Sequence, residues 1–473
     1  VPLGFYLVRE HAIAGTAGFP LDDSWIHLQF ARNVADGAGF SFNPGHPVAG
    51  STAPLWTLLL AAAAFVVGPS LAVGKALGIA ATIGAALVTR RAALAWGASA
   101  PAALMAGIGL AWAGPIAWGA LSGMEVSLAA LLVSATLLAH ARGHTLLTAL
   151  LAAAAALARP EALILVPLIA IAARHPLRRL AAFALVTAVV LAPAVGFSLA
   201  TAGTPLPLTA AAKIEGGLIG WLGGARESAL QVWVWRPWAF VRAWAGWLAG
   251  THWLLAVTLP FAIPLALRRA GLPLALPALA LILHPVAMAL LAPYRDPSFQ
   301  EGRYSMHLLP LALVIVAVAT PHVRWIAHGA VFVWLTVALA MLPAAANRYA
   351  WGVQNINGMQ VHLGHWVDRH LPRDARLALN DIGAIAYISR REVIDLMGLV
   401  TPEILPYRRR GEAGVIEYVR ERCPDYVIVF PTWFPELTRR DEMLEPVYRV
   451  RLDHNLVSGG SEMVVYRLRR CTV

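Results

Sequence analysis

Between Leu180 and Leu199 the chain runs for twenty residues without a charged side chain, and comparable apolar runs recur through most of its length. A helix of about 20 residues spans the hydrocarbon layer of a bilayer. No water reaches the backbone there, so such runs are expected to be helical. Ten are read as spans: Leu71–Thr89, Pro101–Trp118, Val126–Ala139, Thr145–Leu157, Ala162–Ala173, Leu180–Leu199, Trp253–Leu267, Leu272–Leu291, Met306–Thr320 and Ile326–Leu342. Several are short and alanine-rich, and the stretch 145–173 reads as broken or tilted helices. Trp56–Val67 is too short to cross and suits a juxtamembrane or re-entrant helix. Val1–Val8 is shorter still, so a first transmembrane helix is expected to be truncated or to lie upstream.

Charged residues make up 13% of the chain, against about 25% in a soluble domain. The net charge of +11 would suit nucleic acid in a soluble protein. Here the basic residues cluster between apolar runs, at Arg90-Arg91, Arg142-Gly143-His144, Arg174 to Arg179, Arg268-Arg269 and His322 to Arg324. Each cluster follows the previous one by a pair of spans, so all five can share the cytoplasmic side. Nucleic acid is therefore not expected as a partner. Glu10, Asp22, Asp23, Asp36, Glu125, Glu161, Glu215, Glu227, Asp296 and Glu301 all fall in loops of the opposite face. A membrane protein that gathers its carboxylates on one face is expected to work there.

The fold class follows: a polytopic α-helical membrane protein with a C-terminal extracytoplasmic α/β domain. Residues 1–346 read as the transmembrane domain, with a first extracytoplasmic loop at about 9–55. Residues 347–473 read as a soluble domain. In it Arg376–Asn380, Glu392–Asp395 and Tyr426–Phe430 are predicted strands, Val415–Arg422 a helix, and 447–452 with 463–468 a closing hairpin. Cys423 and Cys471 both lie in this domain, where a disulfide is expected.

Few residues carry chemistry. Asp22-Asp23 precedes Trp25–Val34, in which Trp25, Leu28, Phe30 and Ala31 surround His27, Gln29 and Arg32. The pattern predicts an amphipathic helix lying at the membrane interface. One aspartate can cap that helix, and carboxylates beside lipid mark a site lined by protein and water. Gly203-Thr204-Pro205-Leu206-Pro207-Leu208-Thr209 is a proline-stiffened loop leading to Lys213, the only lysine besides Lys75. Lys213 either snorkels at a helix end or meets an anion. In Gln300-Glu301-Gly302-Arg303-Tyr304, Arg303 suits a phosphate fork or an interfacial anchor. Ser122-Gly123-Met124-Glu125 and Arg159-Pro160-Glu161 bring charges that bind substrate or neutralise one another. His362, His365 and His370 lack companion ligands and read as a solvated helix face, so no metal is expected. Gly-rich phosphate loops, Ser-His-Asp order and HExxH are absent.

Asp22-Asp23, Ala31-Arg32-Asn33, Gly37, Gly39, Phe42-Asn43-Pro44-Gly45, Val48 and Pro54-Leu55-Trp56 together resemble the first extracytoplasmic loop of the GT-C glycosyltransferases. Ser122–Glu125, Arg159–Glu161, Pro205–Thr209 with Lys213, and Gly302–Tyr304 follow in the family's order. The likeness covers nearly the whole chain. It is strongest to the bacterial subgroup containing the terminal β-arabinofuranosyltransferases of the actinobacterial cell wall. Leu208 departs from the pattern, standing where the family usually has Asn or Ser.

The resemblance implies a multi-pass protein of the bacterial inner membrane, with its active site and C-terminal domain on the periplasmic side. It implies transfer of a sugar, arabinofuranose or another pentose or hexose, from a polyprenyl-monophosphate carrier to a glycan or lipid-linked acceptor, without a cofactor. Asp22, with Asp23, would supply the base. Lys213, Arg303 and Tyr304 would hold the donor phosphate, and His27, Arg32, Glu125, Arg159, Glu161 and Thr209 would bind substrate. The chemistry is consistent: the acceptor hydroxyl needs a base at the anomeric carbon's open face, and the departing phosphate needs cations. A single displacement of this kind inverts the anomeric centre. The competing classes are a polyprenyl-linked lipid transporter or flippase and a non-catalytic envelope-assembly subunit. Charges gathered on one face, without inverted repeats, count against the transporter. Lipid binding without turnover would mark the assembly subunit.

Overall fold

The computed structural model describes residues 2–172, 175–208, 217–222 and 227–469; Thr209, Lys213 and Cys471 lie outside them. The chain begins with α1 (Pro2–Ala14), α2 (Asp23–Ala35), α3 (Pro54–Val67) and α4 (Leu71–Ala95). A pair bent by 52° follows, α5 (Ala100–Trp112) and α6 (Gly114–Leu121). Then come α7 (Val126–Ala141), α8 (Thr145–Ala158), α9 (Leu165–Ile171), α10 (Pro176–Ala202), α11 (Arg236–Thr251), α12 (Trp253–Ala270), α13 (Leu272–Leu291) and α14 (Leu309–Ala319). The fold is that of a polytopic helical membrane protein. Among the described residues six helices are long and apolar enough to cross a membrane, or seven if the bent pair counts as one span.

Three of the ten expected spans are shorter than a crossing needs: Val126–Ala141, Thr145–Ala158 and Pro160–Ile171. At 1.5 Å per residue they reach only about 24, 21 and 18 Å, against a layer of about 30 Å. Their ends have local causes. Gly143, at φ 74°, turns the chain between the first two. Arg159 is extended (φ −150°, ψ 110°), because the following Pro160 disfavours helical backbone at that position.

Two uniformly apolar helices show the two ways such a sequence is accommodated. Every residue of α14 is buried, with α4, α5, α7 and α12 packed around it. In α10 only Phe183 and Ser198 are buried, leaving most of its surface for lipid. Small residues let the inner helices approach closely. Gly78 of α4, for example, has no room for a Cβ against the backbone of Ala120.

The first loop begins only after Ala14, since residues 2–14 are helical. The expected interfacial helix is α2, but it does not lie on a surface. Ser24 through Asn33 are all buried, His27, Gln29 and Arg32 among them. Its polar face meets protein rather than water, between α3 on one side and the C-terminal unit on the other.

From α15 (Arg324–Ile356) the helix continues through a π-turn, Asn357–Val361, into α16 (His362–His370). This rod of 46 residues, Trp325–His370, is about 70 Å long and links the bundle to the sheet. The change of composition near Asn347 falls inside it. The sheet contains β1 (Arg376–Leu379), β2 (Glu392–Asp395), β3 (Tyr426–Val429), β4 (Leu444–Arg451) and β5 (Glu462–Leu468) in the order β2-β1-β3-β5-β4. The first three are parallel; β5 and β4 close the sheet antiparallel. Central β3 is buried on both faces, which explains its unbroken Tyr-Val-Ile-Val run. Helix α17 (Gly383–Ser389) crosses from β1 to β2, and α18 (Glu412–Arg422) precedes β3. Cys423, the left-handed cap of α18, is disulfide-bonded; the expected pairing with Cys471 falls on a residue outside those described.

Candidate active site

The segment leading to the aspartate pair is tied down first. Glu10 of α1 is buried and pairs with Lys75 of α4. It accepts from the Gly18 amide (2.9 Å) and the Tyr349 hydroxyl (3.0 Å). Phe19, Leu21 and Asp22 are buried in turn, so the chain enters α2 in one fixed conformation.

Asp22 does not cap the helix it precedes. Its carboxylate accepts two backbone amides from the start of α17, Gly383 N at 2.6 Å and Ala384 N at 2.8 Å. Gly383 must lack a side chain, because a Cβ there would overlap the Asp22 backbone oxygen. Burial pushes the Asp22 carboxyl up to about 6; the two amides partly offset this and the neighbouring Asp23 adds to it.

Asp23 turns the other way and pairs with Arg303, Oδ2 to Nη1 at 2.6 Å. Arg303 follows three successive residues in the left-handed region, Gln300 (φ 50°), Glu301 (φ 59°) and Gly302 (φ 78°). The two non-glycine residues cost of order 1–3 kcal/mol each, so other contacts must hold the turn. Trp247 Nε1 donates to the Glu301 carbonyl at 2.8 Å, and Arg348 grips the Glu301 carboxylate with two hydrogen bonds of 2.7 and 3.0 Å. Gly302 leaves no room for a Cβ against the Trp247 ring.

From Arg303 the site extends inward. Arg303 Nη2 donates to the Tyr304 hydroxyl at 3.1 Å. Two guanidiniums approach the Tyr304 ring, Arg159 at 4.5 Å and Arg303 at 5.1 Å from its centre, distances within cation–π range. Arg159 pairs with Glu125 and, through Nε at 3.1 Å, with Glu161. Glu125 also meets His27 Nε2 at 3.5 Å, and His27 Nδ1 contacts the Thr57 hydroxyl at 3.0 Å. Burial opposes ionisation of Glu125, but Arg159, His27 and Arg303 outweigh it and hold the carboxyl well below the usual range. Burial likewise opposes the charge on Arg159, and Glu161 and Glu125 more than restore it.

Two guanidinium nitrogens of this cluster remain unspent. Arg303 Nε and Arg159 Nη2 have no hydrogen-bond partner among the described residues. Leaving a buried charged donor unsatisfied costs about 1–3 kcal/mol or more, so the site is built to receive acceptor oxygens. Among the described residues no three His, Cys, Asp or Glu side chains are grouped to hold a metal ion.

The structure thus gathers Asp22, Asp23, His27, Glu125, Arg159, Glu161, Arg303 and Tyr304. Arg32 stands apart, nine residues beyond Asp23 and about 14 Å along α2. It donates to the Tyr387 carbonyl at 2.7 Å and to Gln29, with its guanidinium over the Tyr387 ring. A 270 Å³ cavity with Arg390 and Glu392 on its wall lies beside it. Thr209 and Lys213 fall outside the described residues. Leu208 just before them is buried, donates its amide to Ala49 O at 3.0 Å, and packs with Phe30, Phe42 and Val48. An apolar side chain at 208 therefore has a structural place against the first loop. Sequence reasoning missed Thr57, Gly383 and Ala384. The only cue for the last two was a glycine where a strand passes into a helix.

The fold is of the GT-C type, the architecture of a class of membrane glycosyltransferases. Solved structures similar to this chain include ArnT from Cupriavidus metallidurans bound to undecaprenyl phosphate. It is 13% identical, with 98% of this chain and 97% of that one aligned and a TM-score of 0.60. The oligosaccharyltransferase AglB from Archaeoglobus fulgidus, in complex with an inhibitory peptide and dolichol-phosphate, is 12% identical over 95% of this chain and 72% of that one, TM-score 0.54. The arabinofuranosyltransferase AftD from Mycobacteria reaches a TM-score of only 0.32 and carries no argument. Residues 354–466 match a domain of unknown function (DUF8728). The sequence matches no curated protein.

Proposed function

We propose that the protein is an integral membrane glycosyltransferase that moves a sugar from a polyprenyl-monophosphate carrier to a hydroxyl of an extracytoplasmic glycan or lipid-linked acceptor. The observation that carries this reading is the pair of buried donors, Arg303 Nε and Arg159 Nη2, unspent among the described residues, both beside the Tyr304 ring and close to an aspartate pair. Polyprenyl phosphates in the two similar structures support it. Asp22 takes the acceptor proton while its two amide bonds keep it oriented. Arg303 and Tyr304, joined by Lys213, meet the phosphate oxygens as charge grows on them. Asp23 holds the Arg303 fork in place. Glu125, Glu161, His27 and Thr209 contact the sugar or the acceptor, whereas Arg32 anchors α2 to the C-terminal unit. The displacement is direct, so the anomeric centre inverts. The carrier's phosphate leaves with the bonding electrons, and its polyprenyl chain stays between the spans. The active face and the sheet unit lie on the periplasmic side of a bacterial inner membrane.

The test is incubation of the purified full chain with a panel of polyprenyl-monophosphate sugars, arabinofuranose, other pentoses and hexoses, and an envelope-glycan acceptor. Transfer from one donor is expected. Binding of polyprenyl phosphate without transfer from any donor would refute the reading in favour of an assembly subunit.

A further inference from the structure

Two helices leave the candidate active site side by side. Asp22 precedes α2, and its carboxylate rests on the first amides of α17. Farther along, the Trp25 and Tyr387 rings meet at 5.3 Å and Arg32 donates to the Tyr387 carbonyl at 2.7 Å, so both helices run in the same direction. Their C-terminal ends share the 270 Å³ cavity, which Arg32 and Asp36 line from the end of α2 and Arg390, the cap of α17, from the other side. Asn43 and His46 of the first loop complete it against β2, the edge strand of the sheet. Its buried members are already committed. Asn43 holds both backbone groups of Val393, at 2.8 and 3.0 Å. Arg391 donates to the carbonyls of Leu371, Pro372 and Ser389 at 2.5–2.9 Å. The exposed members are not: among the described residues the side chains of Asp36, His46, Arg390 and Glu392 form no ion pair and no hydrogen bond. Arg390 stands at φ 55°, where a non-glycine residue is uncommon, so a guanidinium occupies a position whose backbone favours glycine.

The lining selects its ligand by chemistry. Asp36 and Glu392 repel a bare anion, and Arg32, Arg390 and Arg391 repel a bare cation. Among the described lining residues Pro44 alone is apolar, so an apolar chain finds no cover. A neutral molecule dense in hydroxyls suits all of them, because each hydroxyl both donates and accepts, and hydrogen bonds to ionised groups are the strong ones. We propose that this cavity is a subsite for the acceptor glycan, holding a sugar unit set back along the chain from the hydroxyl that Asp22 deprotonates. The proposal rests on the reading of the protein as a glycosyltransferase. Arg32 lies about 14 Å beyond Asp23 along α2, and Arg390 about 10 Å beyond Gly383 along α17. The acceptor chain therefore follows the two helices, and the same pair of rods fixes the distance between base and subsite. Asp36 and His46 belong to the first loop and its helix, Arg390 and Glu392 to the sheet unit, so the subsite is complete only where the two meet.

The test uses the full chain in detergent, hexasaccharides of arabinofuranose, galactose, mannose and glucose as probes, and the variants Arg390→Gly and Glu392→Gln. Glycine suits the backbone at position 390, so that variant removes the guanidinium and keeps the turn. By isothermal titration the wild type should bind one of these probes, and each variant should bind it about tenfold more weakly, the worth of one hydrogen bond to a charged group. No binding of any hexasaccharide, or unchanged affinity in either variant, overturns the proposal. In transfer from the polyprenyl-monophosphate sugar that the wild type accepts, KM for the bound hexasaccharide should rise about tenfold in both variants, with kcat within about twofold. KM for the matching disaccharide, too short to reach the cavity from Asp22, should stay within about twofold. An equal rise for both acceptors overturns the placement of the subsite. A hexasaccharide that binds but is extended from no donor refutes the transferase reading instead, and weaker binding by the two variants would still establish the glycan site.

Discussion

Replacing Asp22 by asparagine separates the cost of the site from its use. At pH 7 the Asp22 carboxyl is ionised, but burial has raised it from 3.8 to about 6. At 1.36 kcal/mol per pH unit, the charge costs the fold about 3 kcal/mol relative to the same carboxylate in water. Asparagine removes that cost. It also presents one oxygen and one amide group to Gly383 N and Ala384 N, so one backbone N–H loses its acceptor, at about 1–3 kcal/mol. The sign with pH follows from the raised value. Wild-type stability from this group is fully present below pH 3.8 and is lost as pH rises through about 6. Asp22→Asn should thus be about 1–2 kcal/mol less stable than wild type at pH 4. By pH 7.5 the difference should have swung by about 3 kcal/mol in favour of the variant. Chemical unfolding of both proteins in detergent, followed by Trp fluorescence across that pH range, measures the swing. Turnover should meanwhile fall by roughly 10²–10⁴, the worth of general base catalysis, with donor binding retained. In wild type, turnover should fall tenfold per pH unit below about pH 6. Parallel stability curves would refute the burial argument, and turnover within threefold of wild type would remove the base from this residue.

Arg303→Lys keeps the charge but loses Nε and the planar fork, so kcat/KM should fall about 10–100-fold in a donor titration. Retention of full activity would mean that no phosphate meets this side chain. Lys213→Ala should weaken both donor binding and turnover, because a phosphate contact operates in ground and transition states alike; a change in turnover alone would count against that role. For orientation, Arg90→Cys, Arg178→Cys and Arg268→Cys should each resist an impermeant thiol reagent in intact cells, whereas Ser298→Cys should react. Equal labelling of both sets would reverse the assignment of faces.

Much of the site was legible because charge is scarce in this chain. Asp22, Asp23, Glu125, Arg159 and Arg303 stand out from apolar surroundings, and all converge in space. The strands were legible for a different reason: the central one, Tyr426–Val429, is a short unbroken apolar run, and its neighbours are short apolar-rich segments bounded by charged or turn residues. What could not be read was whether a polar face meets water or protein. The His27, Gln29 and Arg32 face of α2 has the pattern of an interfacial helix, yet it is satisfied by Thr57, Phe42 O and Tyr387 O. Long-range capping was equally hidden. Asp22 looks like the N-cap of its own helix, and nothing local indicates that its oxygens belong to a helix 361 residues away. The short spans followed from local breaks, the left-handed turn at Gly143 and the extended backbone that Pro160 imposes on Arg159, the latter inside a run whose composition alone suggests continuity.

The continuous helix that runs from α15 through the π-turn into α16 works as a ruler. Arg348 on it grips Glu301 in the turn before Arg303, and Gln360 on it grips Asp381. The two grips are twelve residues apart, so the rod sets their spacing at about 18 Å and their angular phase as well. A loop between them would absorb an added residue at little cost. Here one added residue would advance Gln360 by 1.5 Å and turn it through 100° relative to Arg348. Chains that share this design are therefore free to vary the connections around the site, but the stretch between positions 348 and 360 must keep its length.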